Sequence, residues 1–97
     1  MRMLMVVYDA AFDDEVLAAL SRSGAPGFTQ WRRVLGRGQA SEPRMDDSVW
    51  PGYNHALVTV VEEGAGLEDT VAALSELNDR LGKKGLKAFS WPVAMVI

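Results

Sequence analysis

Ala56-Leu57-Val58-Thr59-Val60-Val61 is apolar at odd and even positions alike and rich in β-branched side chains. A strand of that pattern is buried on two faces, which places it in the interior of a sheet. Met3 to Tyr8 has the same character: Met3, Met5 and Val7 alternate with Leu4, Val6 and Tyr8, and neither set is polar. Two central strands are therefore expected. Just ahead of the first run lies Gly36 to His55, a stretch with no apolar periodicity that holds three of the nine glycines and two of the four prolines. A connection of that length is uncommon in a compact domain and is usually functional or disordered. Its Trp50-Pro51-Gly52 exit, an aromatic beside a rigid turn, suits a functional loop better than an entropic linker.

Further out, Phe28 to Leu35 alternates Thr29, Trp31, Arg33 and Leu35 on one face with Phe28, Gln30, Arg32 and Val34 on the other. Its adjacent arginines suit an edge strand. Before it, Asp13, Asp14 and Glu15 open a helix, where the macrodipole favours negative charge. That helix carries Phe12, Val16, Ala19, Leu20 and Ser23 on one face and ends at Gly24 and Pro26. On the other side of 56–61, Glu62 to Gly66 reads as a turn. Leu67, Val71, Leu74, Leu77 and Leu81 then form a helical stripe, opened by Glu68 and Asp69 and capped by Gly82. Lys87 to Trp91 is the last strand, confined to an edge by Pro92.

The order β-α-β-β-α-β predicts an α+β, ferredoxin-like sandwich over residues 1–97, a single domain with a four-stranded antiparallel sheet and two helices on one face. Two helices cover only one side of such a sheet. The other side would expose an apolar face of the central strands, and Phe28, Trp31, Phe89 and Trp91 add aromatic area on the edge strands; an uncovered face of that size demands a partner, and a homo-oligomer closed by symmetry is expected.

Composition narrows the function. The formal net charge of -3 argues against nucleic-acid binding, which needs a basic excess. With no cysteine there is neither a disulfide framework nor a thiol nucleophile. The apolar start, Met1 to Val7, is too short for a membrane span or a signal core, so no membrane insertion and a cytoplasmic location are expected. One histidine and no cysteine leave little for nucleophilic catalysis.

Two glycine-rich cationic turns remain, Gly36-Arg37-Gly38 and Gly82-Lys83-Lys84-Gly85-Leu86-Lys87. Glycine lets backbone N–H groups approach an anion, and the side chains supply charge. Each is equally a capped turn with solvated charges. Asp46-Asp47 lies in the long loop near Met45 and His55, a carboxylate, thioether and imidazole set able to hold a divalent metal, although the spacing matches no known ligand pattern. Asp13-Asp14 reads as helix-start charge, and His55 as a strand-start residue with an ordinary hydrogen bond.

Taken together, the element order, Val34-Leu35-Gly36-Arg37-Gly38-Gln39 at the loop entrance, Gly82 to Phe89 leading into the last strand, and Phe89-Ser90-Trp91-Pro92-Val93 resemble the PII-like signalling superfamily, which includes the nitrogen-regulatory PII proteins and CutA. The resemblance implies a homotrimer with an effector, often an adenine nucleotide, in clefts between subunits. It makes Gly36 to Tyr53 the T-loop, which docks a partner such as a transporter or enzyme, and Gly82 to Lys87 the B-loop. It assigns effector contacts to Gly36, Arg37, Gly38, Gln39, Gly82, Lys83, Gly85 and Lys87, and partner contacts to Arg44, Trp50 and Pro51. Where nitrogen-regulatory members carry Gly-Asp-Gly, this chain has Gly85-Leu86-Lys87. Its shorter loop has no tyrosine at its tip, and it stops at Ile97 without a basic C-terminal segment. The expected effector is accordingly an adenine nucleotide, another nucleotide, an anion or a metal ion. Two other readings stand beside it. One is a metal-binding CutA-like protein. The other is a dimeric cofactor-free oxygenase or isomerase of the same fold, with Tyr8, Trp31, His55 and Trp91 lining a pocket between sheet and helices.

Overall fold

The computed structural model describes residues 1–37, 43–45 and 52–97. Strand β1 spans Arg2–Asp9, and a 3-10 turn over Ala10–Phe12 leads into helix α1, Asp13–Arg22. Strand β2 is Thr29–Val34, β3 Asn54–Val61, helix α2 Ala65–Arg80 and β4 Leu86–Pro92. The strands lie in the order β2-β3-β1-β4, each antiparallel to its neighbours. The two runs that are apolar on both faces occupy the centre, and the strands with arginines and proline form the edges, as expected.

The core lies between the sheet and the helices. Leu4, Val6 and Tyr8 of β1 and Leu57 of β3 are buried against Val16, Ala19 and Leu20 of α1 and Leu74 and Leu77 of α2. Burying each large apolar side chain contributes about 1.5–3 kcal/mol. Two details depart from the sequence pattern in α2. The helix begins at Ala65, so the turn after β3 is shorter than expected. Val71 is exposed and Thr70 takes the buried position. The helix tolerates that hydroxyl because Thr70 Oγ1 donates to the Gly66 carbonyl, at 2.9 Å.

In β2 the alternation fails halfway. Trp31 pairs with Ala56 and Val34 with Asn54, with a register shift between them, and Arg33 takes a left-handed conformation (φ 57°). The extra residue puts Val34 on the same face as Trp31, not with Gln30 as strict alternation predicted.

On the side away from the helices, Met3, Met5 and Val7 share a face with Ala56, Val58 and Val60, with Thr29 and Trp31, and with Phe89 and Trp91. No element of the chain covers this face among the described residues. Trp31, Phe89 and Trp91 are 50%, 55% and 41% exposed, a clustered apolar patch of the kind that marks an interaction surface. Among the described residues no helix is long and apolar enough to cross a membrane.

A candidate anion site at the root of the long loop

Antiparallel pairing brings four chain ends to one edge of the sandwich: the end of β1, the end of β2, the start of β3 and the start of β4. The connections made there must meet. The Asp9 N–H donates to the Gly85 carbonyl at 2.8 Å, and the Ala10 N–H to the Tyr53 carbonyl at 3.0 Å. The long connection also has an internal tie. Gly36 and Arg44 form an antiparallel bridge, with Gly36 N–H to the Arg44 carbonyl at 2.8 Å and Arg44 N–H to the Gly36 carbonyl at 2.6 Å.

Between the loop entrance and the turn after α2 lies a cleft of about 270 Å³. Its floor is apolar, from Val7, Leu86 and Phe89, and its rim carries Arg37, Lys83 and Lys87. No carboxylate lines it among the described residues, although the chain as a whole is acidic. Gly36 and Gly85 contribute backbone to opposite walls. The turn after α2 is unusual in its backbone: Gly82, Lys83 and Gly85 all have positive φ, 72°, 60° and 83°. For lysine that conformation is uncommon. It is held because the Lys83 N–H donates to the Asn78 carbonyl at 2.8 Å and the Gly82 N–H to Asp79 at 3.1 Å, satisfying helix-end carbonyls. This end of a helix dipole repels anions, so attraction must come from the side-chain charges.

The structure thus brings Gly36, Arg37, Lys83, Gly85 and Lys87 to one cleft, while Gly82 shapes the turn without lining it. Gly38, Gln39, Trp50 and Pro51 lie outside the described residues, as do Asp46 and Asp47. Arg44, assigned to partner contact, is paired with Asp9: Nη2 and Nε each lie 3.0 Å from Oδ2. Among the described residues no three His, Cys, Asp or Glu side chains gather as a metal site.

His55 is not at the cleft but beneath the sheet, 2% exposed, in a polar cluster that the sequence did not reveal. Its Nδ1 is 3.1 Å from Asp13 Oδ1. The same carboxylate oxygen accepts from the Tyr8 hydroxyl at 2.6 Å and from Gln30 Nε2 at 2.8 Å. The Tyr53 ring stacks on His55 at 5.7 Å, and the Arg33 guanidinium sits 4.7 Å over Tyr53, a position that follows from the β2 bulge. Burial alone would push the Asp13 carboxyl up, but hydrogen bonds from Tyr8, His55 and Gln30 outweigh it and hold it below its ordinary value. Burial, then Asp13, pushes the Tyr8 phenol well above its ordinary value. Asp13 is therefore not simply helix-start charge.

Tyr8 and His55 pair on the helix side of the sheet, whereas Trp31 and Trp91 pair with Ala56 and Met3 on the other side. The four do not line one pocket, which removes the geometric basis of the oxygenase or isomerase reading.

A ferredoxin-like sandwich with a long tied loop and a cationic, glycine-walled cleft at its root defines a small regulatory domain of the PII type. A sequence model of the family described as nitrogen regulatory protein P-II matches residues 1–97, and the chain belongs to that family. No curated protein matches it. Among solved structures it is similar to a protein from Thermus thermophilus assigned to PII-like signalling, with 23% identity, TM-score 0.64, 98% of this chain and 88% of that one covered. It is also similar to CPII from Thiomonas intermedia. In the structure bound to ADP, AMP and bicarbonate the identity is 16% and the TM-score 0.63, over 99% and 94% of the chains. In the structure with ADP, AMP and acetate they are 15% and 0.66, over 97% and 88%.

Proposed function

We propose that this chain is a non-enzymatic PII-like regulator that assembles as a homotrimer in the cytoplasm. It takes an adenine nucleotide or another anion between subunits, in the cleft walled by Gly36–Arg37 and Gly85–Lys87, and signals to a partner protein, a transporter or an enzyme, through the 36–53 loop. The observation that carries the reading is the convergence of Arg37, Lys83 and Lys87 on one cleft at the root of that loop, with no carboxylate lining it among the described residues. Three cations around exposed backbone suit phosphate oxygens, and the apolar floor suits a base or another flat group. The CPII structures, which hold ADP and AMP with bicarbonate or acetate, support this choice of ligand class. The exposed face with Trp31, Phe89 and Trp91 supports assembly, since packing three such faces together would remove them from water.

Native mass spectrometry with and without ATP or ADP tests the reading in one experiment. The expected species is a trimer that takes up as many as three nucleotides. A monomer or dimer would overturn the assembly, and a trimer that ignores nucleotides but binds bicarbonate or another anion would move the effector to that class.

A further inference from the structure

One residue, Asp9, ties together the two walls of the cleft without lining it. Asp9 is the last residue of β1, and its backbone N–H is bonded to the Gly85 carbonyl. Its side chain divides its work. Oδ1 accepts from the Ala11 N–H at 3.0 Å and closes the 3-10 turn that leads into α1. Oδ2 takes the Arg44 guanidinium through Nε and Nη2, each at 3.0 Å. Arg44 is in turn bonded through both its backbone groups to Gly36, the residue before Arg37 on the opposite wall. Gly52 makes room for this arrangement, since a Cβ there would stand 3.3 Å from Arg44 Cδ. Both side chains of the pair are only partly exposed, 25% for Arg44 and 17% for Asp9, so solvent screens the pair less than a surface one.

We infer that the Asp9–Arg44 pair positions the effector cleft: it pins the Gly36–Arg44 bridge to the end of β1 and so holds Arg37 at the rim facing Lys83. This rests on the cleft being the effector site. Neither Asp9 nor Arg44 lines the cleft, so their effect on a ligand runs through the wall they hold. With the pair intact the ligand meets an ordered wall. Without it the ligand must order that wall on binding, and its affinity falls although its own contacts are unchanged. The pair also joins the two walls mechanically, since a shift of Gly85 or of Gly36 must be accommodated at Asp9.

The test uses the full chain with Asp9→Asn, Arg44→Gln, the double variant and Arg44→Lys. Asparagine at position 9 still accepts from the Ala11 N–H, so the turn is preserved while the charge that holds Arg44 is lost. Two quantities are measured: hydrogen exchange at the Gly36 and Arg44 amides without ligand, and affinity for ADP. Exchange at both amides is expected to rise about tenfold in each single variant, and no further in the double variant, because the two residues act as one unit. ADP affinity is expected to fall about tenfold in parallel, with Arg44→Lys recovering part of both effects. Unchanged exchange in both single variants overturns the inference whether or not ADP binds. Faster exchange with unchanged ADP affinity overturns the link to the cleft. Faster exchange in a protein that binds no ADP even as wild type keeps the pinning of the bridge and overturns the nucleotide reading instead.

Discussion

The Tyr8 hydroxyl donates to Asp13 Oδ1 at 2.6 Å, joining the middle of the sheet to the first residue of α1. Gln30 Nε2 and His55 Nδ1 reach the same oxygen, so one carboxylate gathers β1, β2 and β3 under the helix. A carboxylate only accepts, so the hydrogen of the His55–Asp13 contact is on Nδ1.

Neighbouring aspartates of equal charge should therefore behave differently. Asp13→Ala leaves the buried Tyr8 hydroxyl and His55 Nδ1 without their acceptor, while Gln30 keeps its bond to the Tyr8 oxygen, and a loss of about 3 kcal/mol is expected. Asp14 is exposed, and Asp14→Ala should change stability by about 0.5 kcal/mol or less. Urea unfolding of the two variants measures the contrast. Equal losses would show that only the helix dipole is involved.

The same cluster sets the response to pH. The folded-state value of Asp13 lies below its ordinary value of 3.8, so its contribution is complete above that pH and is lost as pH falls through the folded value. Tyr8 runs the other way. Its folded value lies above the ordinary 10.0, so stability is complete below pH 10 and declines as the unfolded chain begins to lose the phenolic proton. Unfolding curves across acid and alkaline pH should show both slopes. Asp13→Asn should flatten the acid one, and an unchanged acid slope in that variant would place its origin elsewhere.

At the cleft, Arg37→Ala and Lys83→Ala should each weaken ADP binding about tenfold, the scale of one charge-assisted hydrogen bond, and make the remainder less sensitive to salt. Calorimetry at two salt concentrations reads both effects, while native mass spectrometry checks that the assembly is unaltered. Wild-type affinity in both variants would remove these side chains from the site.

Two glycines separate conformational strain from crowding. Gly24 has φ +76° with nothing within 4 Å of a Cβ, and Gly24→Ala should cost about 1 kcal/mol from strain alone. Gly85 has φ +83° and a Cβ there would lie 3.1 Å from Phe12 Cε2. Gly85→Ala should cost about 2 kcal/mol and also weaken ADP binding, since the wall itself would move. Thermal unfolding of the pair, with ADP titration of the second, provides the measurement.

A charge on the uncovered sheet face should prevent assembly. Phe89→Glu or Trp91→Glu would place a carboxylate where copies are proposed to pack, and light scattering should report a monomer with a native circular dichroism spectrum. An unchanged oligomer would move the interface to another surface.

The sheet was legible because its signals are local. Runs apolar on both faces mark β1 and β3, and arginines and Pro92 mark the edges. The grouping of Arg37 with Lys83 and Lys87 followed from family resemblance joined to strand order, since nothing in either turn alone points to the other. The polar cluster was hidden. Asp13 beside Asp14 looks like ordinary helix-start charge, and only the pairing of Tyr8 with His55 shows why one of the two is occupied. The β2 bulge was equally silent, because Arg33 adopts a conformation that no side chain advertises. The apolar spacing points to Val71 instead of Thr70, because no sequence pattern shows that the Thr70 hydroxyl can bond back to the Gly66 carbonyl and be buried.

The Gly36–Arg44 bridge has a consequence for engineering. By tying the connection partway along, it divides one long span of sequence at Arg44 into two shorter ones, 37–43 and 45–53. Lengthening either span adds only a slowly growing entropy cost, and that cost falls on the span that is lengthened. A reporter inserted within 45–53 should thus leave Arg37 in place, making this half of the loop a natural port for a biosensor whose effector-facing half stays untouched.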